Sequence, residues 1–265
     1  MSVMIQITIR YVLLLSILFT CGSCHKKIIY YPVIAHSHND YEQEVPIKTA
    51  LELGFTSLEV DIVYHEGRIV VSHDLKDLAS KPEFEKDYLI PFFKEIEKER
   101  DYVLLIDLKN YSPELITQLN EILFTKTKYL VERHNLHFDK KGVKVLLSGD
   151  FPRHQVIRDQ RNHTLFIDGR LEHLRTDNSF LYTPLISMNL RHVTQWRGDR
   201  EPEEEELAAI RNVVEKVHGA GKLLRFWNTP DTEIMWRTLE DLQVDIIGVD
   251  DLQQFYDVNF SKWNK

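Results

Sequence analysis

Short apolar runs rich in β-branched residues alternate along most of the chain with longer segments of helical periodicity. Eight of the apolar runs predict strands, at residues 32–36, 57–63, 102–108, 143–148, 164–168, 185–189, 222–227 and 245–249. Helical patterns occupy most of the intervals, at 46–53, 91–100, 113–126, 203–218 and 231–242. This alternation is typical of a parallel sheet, and eight such units in about 240 residues predict a single α/β domain, a (β/α)8 TIM barrel.

A further apolar run, Arg68–Ser72, follows Glu66-Gly67, a few residues after the second predicted strand. This spacing predicts that the second strand folds back through a tight hairpin, which extends the barrel at that point. The chain shows no internal repeat, Gly/Ser-rich linker or shift in composition. We therefore expect residues 25–265 to form one domain.

The first 24 residues have the features of an export signal. Arg10 precedes the apolar run 11–19, which contains no acid and is too short to span a bilayer comfortably. The segment resembles a bacterial lipoprotein leader, and either Cys21 or Cys24 could be the acylated cysteine. A thioredoxin-type redox pair is disfavoured because that motif begins a helix after a strand. We expect an exported protein, held at the membrane by a lipid anchor only, or otherwise secreted or periplasmic.

Lys and Arg total 33 against 41 Asp and Glu, a formal net charge of −8. This balance gives no electrostatic footprint for nucleic acid or for general adhesion to anionic membranes. No sequence feature indicates an obligate protein partner. The acidic run Glu201–Glu206 predicts the start of a helix, with its acids near the positive end of the helix dipole.

Residues that can carry chemistry cluster where the predicted strands end. In a parallel barrel the carboxyl ends of all strands meet at one mouth. The residues expected there are His36, His38, Asn39, Glu59, Asp61, His73, Asp107, Lys109, Arg225 and Trp227. Glu59 and Asp61 are two residues apart, so their side chains point to the same face of the strand.

The oxygen ligands in this set suit Ca²⁺ or Mg²⁺ better than zinc, which prefers imidazole and thiolate. The imidazoles are then available for proton transfer. A divalent cation beside histidines and a lysine supplies what phosphodiester cleavage needs: charge neutralisation, a general base and a general acid. The pattern therefore favours metal-assisted cleavage of a phosphodiester.

The segment Leu58–Asp74 resembles the core signature of glycerophosphodiester phosphodiesterases, in which an E-x-D pair binds the metal and the histidine of a later H-D is catalytic. Ser37–Tyr41 (S-H-N-D-Y) is similar to the S-H-N-T-Y motif of eukaryotic phosphatidylinositol-specific phospholipase C (PI-PLC). With the D-L-K strand and Arg225–Asp231 (R-F-W-N-T-P-D), the order of motifs resembles the altered-inheritance-of-mitochondria-like branch of that PI-PLC-like phosphodiesterase superfamily.

The resemblance implies a role for each matching residue. It makes His38 and His73 the acid/base pair. The implied metal ligands are Glu59, Asp61, Asp107 and Asn39. The implied substrate-binding residues are Lys109, which would hold a phosphate oxygen, and Arg225 and Trp227, which would line the pocket. His36 lies on the same strand face as His38 and is the catalytic histidine in a glycerophosphodiesterase alignment, but the longer S-H-N-D-Y match favours His38.

The chain departs from the glycerophosphodiesterase pattern at two places. Ser37 stands where those enzymes have Arg, and Glu44-Val-Pro46 replaces their P-E-N segment. Sphingomyelinase D enzymes also share the D-L-K strand and the late Trp. The head group, the ion and the choice between hydrolysis and cyclic-phosphate formation therefore stay open.

Two other functions fit parts of the sequence. His36-x-His38 matches the metal-binding H-x-H of amidohydrolase-type zinc hydrolases, although the fifth and sixth predicted strands end in Asp168 and Asn189 rather than histidine. A lipid-anchored barrel that binds phospholipid head groups or glycans without catalysis is the second alternative. It predicts histidines and acids scattered over separate surfaces, whereas the phosphodiesterase hypothesis requires them around one pocket.

Overall fold

A computed structural model describes residues 34–98, 100–132, 141–159, 164–175 and 182–263. The predicted leader, residues 1–24, lies outside the described residues, as do positions 32 and 33 of the first predicted strand. Within the described ranges, no helix combines the length and apolar character needed to cross a bilayer.

Nine strands are described: β1 (Ile34–Ser37), β2 (Ser57–His65), β3 (Arg68–Val71), β4 (Tyr102–Leu108), β5 (Val143–Gly149), β6 (Leu165–Gly169), β7 (Leu185–Asn189), β8 (Leu223–Trp227) and β9 (Ile246–Val249). Eight of them pair in parallel in the order β1-β2-β4-β5-β6-β7-β8-β9, and β9 pairs with β1 to close the ring. The predicted (β/α)8 barrel is confirmed.

The hairpin extension is formed by β3, which pairs antiparallel with the outer part of β2. Glu66 and Gly67 connect the two strands with φ values of 47° and 80°. Two consecutive positive φ values define the type I′ turn that favours a two-residue hairpin. The Ser72 amide donates to the Asp61 carbonyl at 3.1 Å, so the hairpin returns His73 to the level of Asp61.

The described α-helices are α1 (Lys48–Glu52), α2 (Ile90–Glu95), α3 (Pro113–Phe124), α4 (Arg153–Arg158), α5 (Glu204–Gly219), α6 (Glu233–Asp241) and α7 (Leu252–Trp263). The acidic run does start a helix: α5 begins at Glu204, and the Glu206 carboxylate accepts from the Glu203 amide at 2.8 Å. The pattern at 91–100 ends early, because Ile96 is extended, and a π-helix at Phe84–Leu89 precedes α2.

The inside of the barrel is apolar at its floor and polar at its mouth. The floor is an inner cluster of buried residues, separate from the core beneath the helices: Val103, Leu105, Val131, Leu146, Phe166, Leu185, Leu223 and Ile246. Strand side chains alternate between faces, so the inward positions nearer the carboxyl ends come two residues later. These positions are polar: His36, Glu59, Asp61, Asp107, Ser148, Asp168, Ser187 and Arg225.

Candidate active site

Three carboxylates gather at the mouth on β2 and β4. One oxygen each from Glu59, Asp61 and Asp107 lies within 4.8 Å of the others. Asp61 and Asp107 are register partners on the neighbouring strands, and Glu59 precedes Asp61 on the same face. The structure thus brings together three of the four sequence-predicted metal ligands.

Two cations partly neutralise these carboxylates. Arg225 Nη2, from β8, lies 2.5 Å from Glu59 Oε2. Lys109 Nζ lies 2.9 Å from Asp61 Oδ2 and 2.6 Å from Asp107 Oδ2. Burial alone raises the pKa of Glu59, but the Arg225 charge and the hydrogen bond from His36 outweigh it and hold that pKa well below its ordinary value.

The donor set of this cluster fits a hard divalent cation. Asp61 is fully buried, and its Oδ1 has no hydrogen-bond partner among the residues that the structure describes. Burial raises the pKa of Asp107 against the opposing effect of Lys109, so its anionic form lacks full compensation. Three carboxylates facing two cations leave one excess negative charge, and a buried unpaired oxygen is costly unless a ligand meets it.

The fourth predicted ligand, Asn39, lies on the loop that follows β1. Its backbone is left-handed, with φ 46°, and it precedes the short 3-10 helix Asp40–Glu42 without capping it through its side chain. Asn39 therefore lies directly after His38, and its side chain makes no hydrogen bond to the three carboxylates.

His73 contacts the cluster from the β3 side. Its Nδ1 lies 2.7 Å from Asp61 Oδ2, and 57% of its side chain is exposed. Tyr41 donates to the same oxygen at 2.9 Å. Because Asp61 engages Nδ1, Nε2 is the ring atom of His73 that remains for proton exchange.

His38 lies toward β9 instead. Its amide donates to the Val249 carbonyl at 3.0 Å, and its Nδ1 lies 2.6 Å from Asp250 Oδ1. Burial disfavours the charged ring, but the hydrogen bond to Asp250 and the charge of Glu59 outweigh it and raise the pKa of His38. Asp231 fixes this turn, because its Oδ2 accepts from the amides of Asp250 and Asp251 at 2.8 and 2.7 Å.

Sequence reasoning missed Asp250 as a site residue. The available signal was its position, since Asp250 directly follows the last predicted strand and therefore stands at the mouth.

His36 has a different environment from His38. The ring is fully buried, with Nδ1 2.7 Å from Ser57 Oγ and Nε2 2.8 Å from Glu59 Oε2. Burial, and then the Arg225 charge, lower the pKa of His36 to about 4. His36 is therefore a neutral ring that holds Glu59 in place, and both of its nitrogens are engaged.

The loop that carries His38 and Asn39 is fixed by a buried carboxylate. Asp40 accepts from Ser37 Oγ at 2.9 Å, from the Ile47 amide at 2.8 Å and from Tyr88 Oη at 2.8 Å. Tyr88 comes from the π-helix before α2. Ile47 has φ 67°, a strained value for a β-branched residue, and the bond from its amide to Asp40 helps to retain it.

A cavity of about 260 Å³ opens beside His38, between the ends of β8 and β9. Its lining residues are His38, Arg225, Phe226, Trp227, Asn228, Thr229, Pro230, Gly248 and Asp250. Trp227 is 39% exposed there, and a side chain at Gly248 would meet open space. A larger cavity, of about 460 Å³, lies at the opposite ends of β4 and β5, away from the carboxylates.

Comparison with known proteins finds relatives of this chain by sequence and by fold. A family model described as an AIM6-like phosphodiesterase domain matches residues 25–102. The altered inheritance of mitochondria protein 6 homolog of Arthroderma benhamiae is 26% identical over 264 residues, covering 83% of this chain and 82% of that protein. The altered inheritance of mitochondria protein 6 of Candida glabrata is 22% identical, covering 84% and 70%.

Solved structures with the same fold include a glycerophosphodiester phosphodiesterase from Agrobacterium tumefaciens. It is 14% identical, with a TM-score of 0.57, over 86% of this chain and 99% of that chain. A Ca²⁺-dependent PI-PLC from Streptomyces antibioticus is 13% identical, with a TM-score of 0.60, over 86% and 96%. At these identities the likeness shows the barrel fold.

Proposed function

We propose that this chain is a PI-PLC-like phosphodiesterase, as its sequence relatives and its fold support, and that it cleaves a phosphodiester bond in a glycerophosphodiester or a phospholipid head group. The observation that carries the proposal is the cluster of Glu59, Asp61 and Asp107 around an unpartnered buried oxygen. The imidazole of His73 is hydrogen-bonded to Asp61, and the imidazole of His38 is hydrogen-bonded to Asp250.

The three carboxylates would hold a divalent cation, Ca²⁺ or Mg²⁺, with Asn39 as a further ligand. Such a cation, when bound, neutralises charge on the non-bridging oxygens of the phosphate. Lys109 adds positive charge on the Asp107 side and would hold a phosphate oxygen. Arg225 keeps Glu59 ionised and in place, and Trp227 lines the cavity beside His38.

His38 and His73 would act as the acid/base pair. One imidazole removes the proton of the attacking hydroxyl as its oxygen bonds to phosphorus. The other protonates the leaving alkoxide as the second P–O bond breaks. Water as the attacker gives a phosphomonoester, and a neighbouring substrate hydroxyl gives a cyclic phosphate. Each ring is hydrogen-bonded through Nδ1 to a carboxylate. This bond fixes the tautomer of the ring and leaves Nε2 for proton exchange.

The test is cleavage by the purified protein of glycerophosphodiesters, phosphatidylinositol, lysophospholipids and sphingomyelin, after chelation and after addition of Ca²⁺ or Mg²⁺. We expect activity that depends on one of these ions, and losses of about 10²–10⁴-fold in both His38→Ala and His73→Ala. His65→Ala, at the end of β2, is the matched control and should retain activity. A loss under about tenfold in both site variants, with folding intact, would contradict the assignment.

The two alternatives find less support. The zinc-hydrolase hypothesis needs His36 and His38 on one metal, but both nitrogens of His36 are engaged by Ser57 and Glu59. The non-catalytic hypothesis predicts scattered side chains, whereas the carboxylates and His73 gather in direct contact. Metal analysis of the purified protein distinguishes the two enzyme hypotheses. Tightly held zinc would favour the zinc hydrolase over the phosphodiesterase.

We further propose that residues 1–24 export the chain and that a lipid on Cys21 or Cys24 anchors it at the cell envelope. The measurement is incorporation of labelled fatty acid into the full chain and its Cys21→Ser and Cys24→Ser variants. Loss of label in one variant would identify the acylated cysteine. Equal absence of label in all three would leave a secreted or periplasmic protein.

A further inference from the structure

The larger cavity, of about 460 Å³, lies at the amino ends of β4 and β5, at the opposite end of the barrel from the carboxylates. The proposed chemistry makes no use of it. Its charged lining residues are Lys98, Arg100, Lys128 and Lys141, together with Glu97 and Glu132. Four cations therefore face two acids, whereas the whole chain has a formal net charge of −8. This end of β4 and β5 is locally basic in an acidic protein.

The lysines at this cavity are available to an external anion. All three of them, Lys98, Lys128 and Lys141, are exposed. Among the described residues, none forms an ion pair with them. Arg100 approaches the Glu97 carboxylate only at 3.9 Å, and its Nη2 donates to the Gly54 carbonyl at 3.0 Å. An anion can therefore be met by the lysines without first breaking an ion pair.

An exposed aromatic side chain borders these cations. Phe124 ends α3 and is 74% exposed, more than any other large apolar side chain that the structure describes. The 3-10 helix Thr127–Tyr129 follows it and lines the cavity. Tyr129 stacks on buried Phe93 with ring centroids 5.2 Å apart, and Lys128 Nζ lies 4.7 Å from the centroid of the Tyr129 ring. We use the name basic patch for the cations and this aromatic residue: Lys98, Arg100, Phe124, Lys128 and Lys141.

Exposed cations around an apolar side chain match the surface of an anionic bilayer. Each basic group near such a surface strengthens binding by about fivefold. An aromatic side chain beside them can enter the boundary between head groups and acyl chains. A small anion such as inorganic phosphate would pair with the cations but would leave Phe124 in water. The exposed ring therefore favours a membrane over a soluble anion.

We propose that the basic patch docks this end of the barrel on an anionic phospholipid bilayer. The chain also joins the barrel at this end, because Ile34 begins β1 and its amide donates to the Asp245 carbonyl. The carboxylate cluster lies at the other end and stays open to solution. Net charge predicted no adhesion to anionic membranes, because only folding brings residues 98–100, 124–128 and 141 together.

The experiment measures binding of the full chain to two kinds of vesicle, phosphatidylcholine alone and equal parts phosphatidylcholine and phosphatidylglycerol. Cys21→Ser and Cys24→Ser are present throughout, so that no acyl chain contributes to binding. The patch variants are Phe124→Ser and the double variant Lys98→Gln, Lys128→Gln. Hydrogen exchange with and without vesicles then locates the contact along the chain.

Matched controls make the same changes at the mouth end of the barrel. Leu75→Ser removes an apolar side chain that is 60% exposed after β3. The double variant Lys76→Gln, Lys86→Gln removes two charges from exposed lysines on segments near the mouth. Circular dichroism of each variant checks that it is folded.

We expect stronger binding to the mixed vesicles than to phosphatidylcholine, and weaker binding at high salt, because salt screens exposed charges. Loss of the two patch lysines should weaken binding to mixed vesicles about ten- to thirtyfold, and Phe124→Ser about three- to tenfold. Both controls should stay within about twofold of their parent. Mixed vesicles should slow hydrogen exchange at residues 124–130 and leave residues 73–77 unchanged.

Equal weakening in the two lysine double variants would overturn the proposal and leave only general electrostatic attraction. A greater loss in Leu75→Ser than in Phe124→Ser, with exchange slowed at residues 73–77, would overturn it and assign the mouth as the membrane-facing end. Equal binding of folded protein to both kinds of vesicle would overturn it as well. These measurements need no turnover, so failure of the proposed phosphodiesterase activity would show separately, in the cleavage assay.

Discussion

The two halves of the barrel mouth use the same groups for different purposes. The acidic half, on β1, β2 and β4, sets three carboxylates against Lys109 and against Arg225, which reaches over from β8. The facing half, on β5, β6 and β7, has one inward carboxylate, Asp168, which Arg170 and Ser148 bind. Asp61 and Asp168 each have one buried, unpaired oxygen. The surrounding charge differs: the three carboxylates leave excess negative charge, which suits a cation, whereas Arg170 compensates the charge of Asp168.

The sharpest test of this comparison substitutes the two aspartates identically. Asp61→Asn should lower kcat by about 10³-fold or more, because a bound cation supplies several kcal/mol of charge stabilisation. It should also abolish calorimetric binding of Ca²⁺ or Mg²⁺. Asp168→Asn should leave cation binding in place and change kcat far less, because Asp168 lies outside the carboxylate cluster. Equal losses of kcat in both variants would erase the distinction between the halves.

The acidic half should also make stability depend on pH. Burial and Arg225 hold the pKa of His36 near 4 in the folded chain, against 6.5 for an unperturbed histidine. Between these values the unfolded chain binds more protons, so the free energy of unfolding falls as pH falls from 6.5 toward 4. The loss approaches about 3 kcal/mol.

Urea unfolding between pH 7 and pH 4.5 measures this dependence. His36→Gln should remove that part of the pH slope, whatever its effect on stability at pH 7. His65→Gln, on the hairpin end of β2, should leave the slope as in wild type. An unchanged slope in His36→Gln would show that the buried ring is not the titrating group.

Substitution of Asp250 tests how far the acidic half depends on a residue that belongs to no sequence motif. Asp250→Asn should lower kcat by about ten- to fiftyfold, because the carboxylate orients His38 and stabilises its protonated form. The pKa of His38 should fall, so its limb of the pH–rate profile should move to lower pH. Asp250→Glu should restore part of the rate. A lower rate with an unmoved profile would assign Asp250 a structural role alone.

The sequence predicted most of the acidic half because its residues stand in recognisable order at strand ends. The E-x-D pair, the hairpin and the D-L-K strand each place a side chain by strand period alone. Asp250 escaped because a single acid after the last strand forms no motif. Contact between Asp250 and His38 joins positions 212 residues apart, which only closure of β9 onto β1 brings together.

The facing half was missed for a related physical reason. Ser148, Asp168 and Ser187 each follow an apolar inward residue by two positions, so their direction was readable from the pattern. Their significance was not, since it depends on which polar atoms lack partners in the folded barrel. The helices α4 and α7 also escaped prediction: α4 has only six residues, too few to show a helical period.

The two halves of the mouth also differ in the hydrogen bonds that fix their loops, and this difference should have a smaller effect, on stability. In the facing half, Arg153 donates to main-chain carbonyls, whereas the acidic half uses Asp40 to bind the loop of His38. Tyr88→Phe removes one buried donor to that carboxylate and should cost about 1.5–3 kcal/mol in urea unfolding. Burial and the nearby Asp40 charge raise the pKa of Tyr88 far above its ordinary value, so its hydroxyl stays a donor throughout the accessible pH range.

The matched variant is Tyr102→Phe on β4, another buried tyrosine, whose hydroxyl accepts from the Glu97 amide at 3.2 Å. Its bond joins neutral groups, so the cost should be about 0.5–1.5 kcal/mol, below that of Tyr88→Phe. Because Asp40 fixes the loop rather than touching substrate, Tyr88→Phe should reduce kcat only as far as His38 loses its position. A large loss of kcat without loss of stability would place Tyr88 in the chemistry itself.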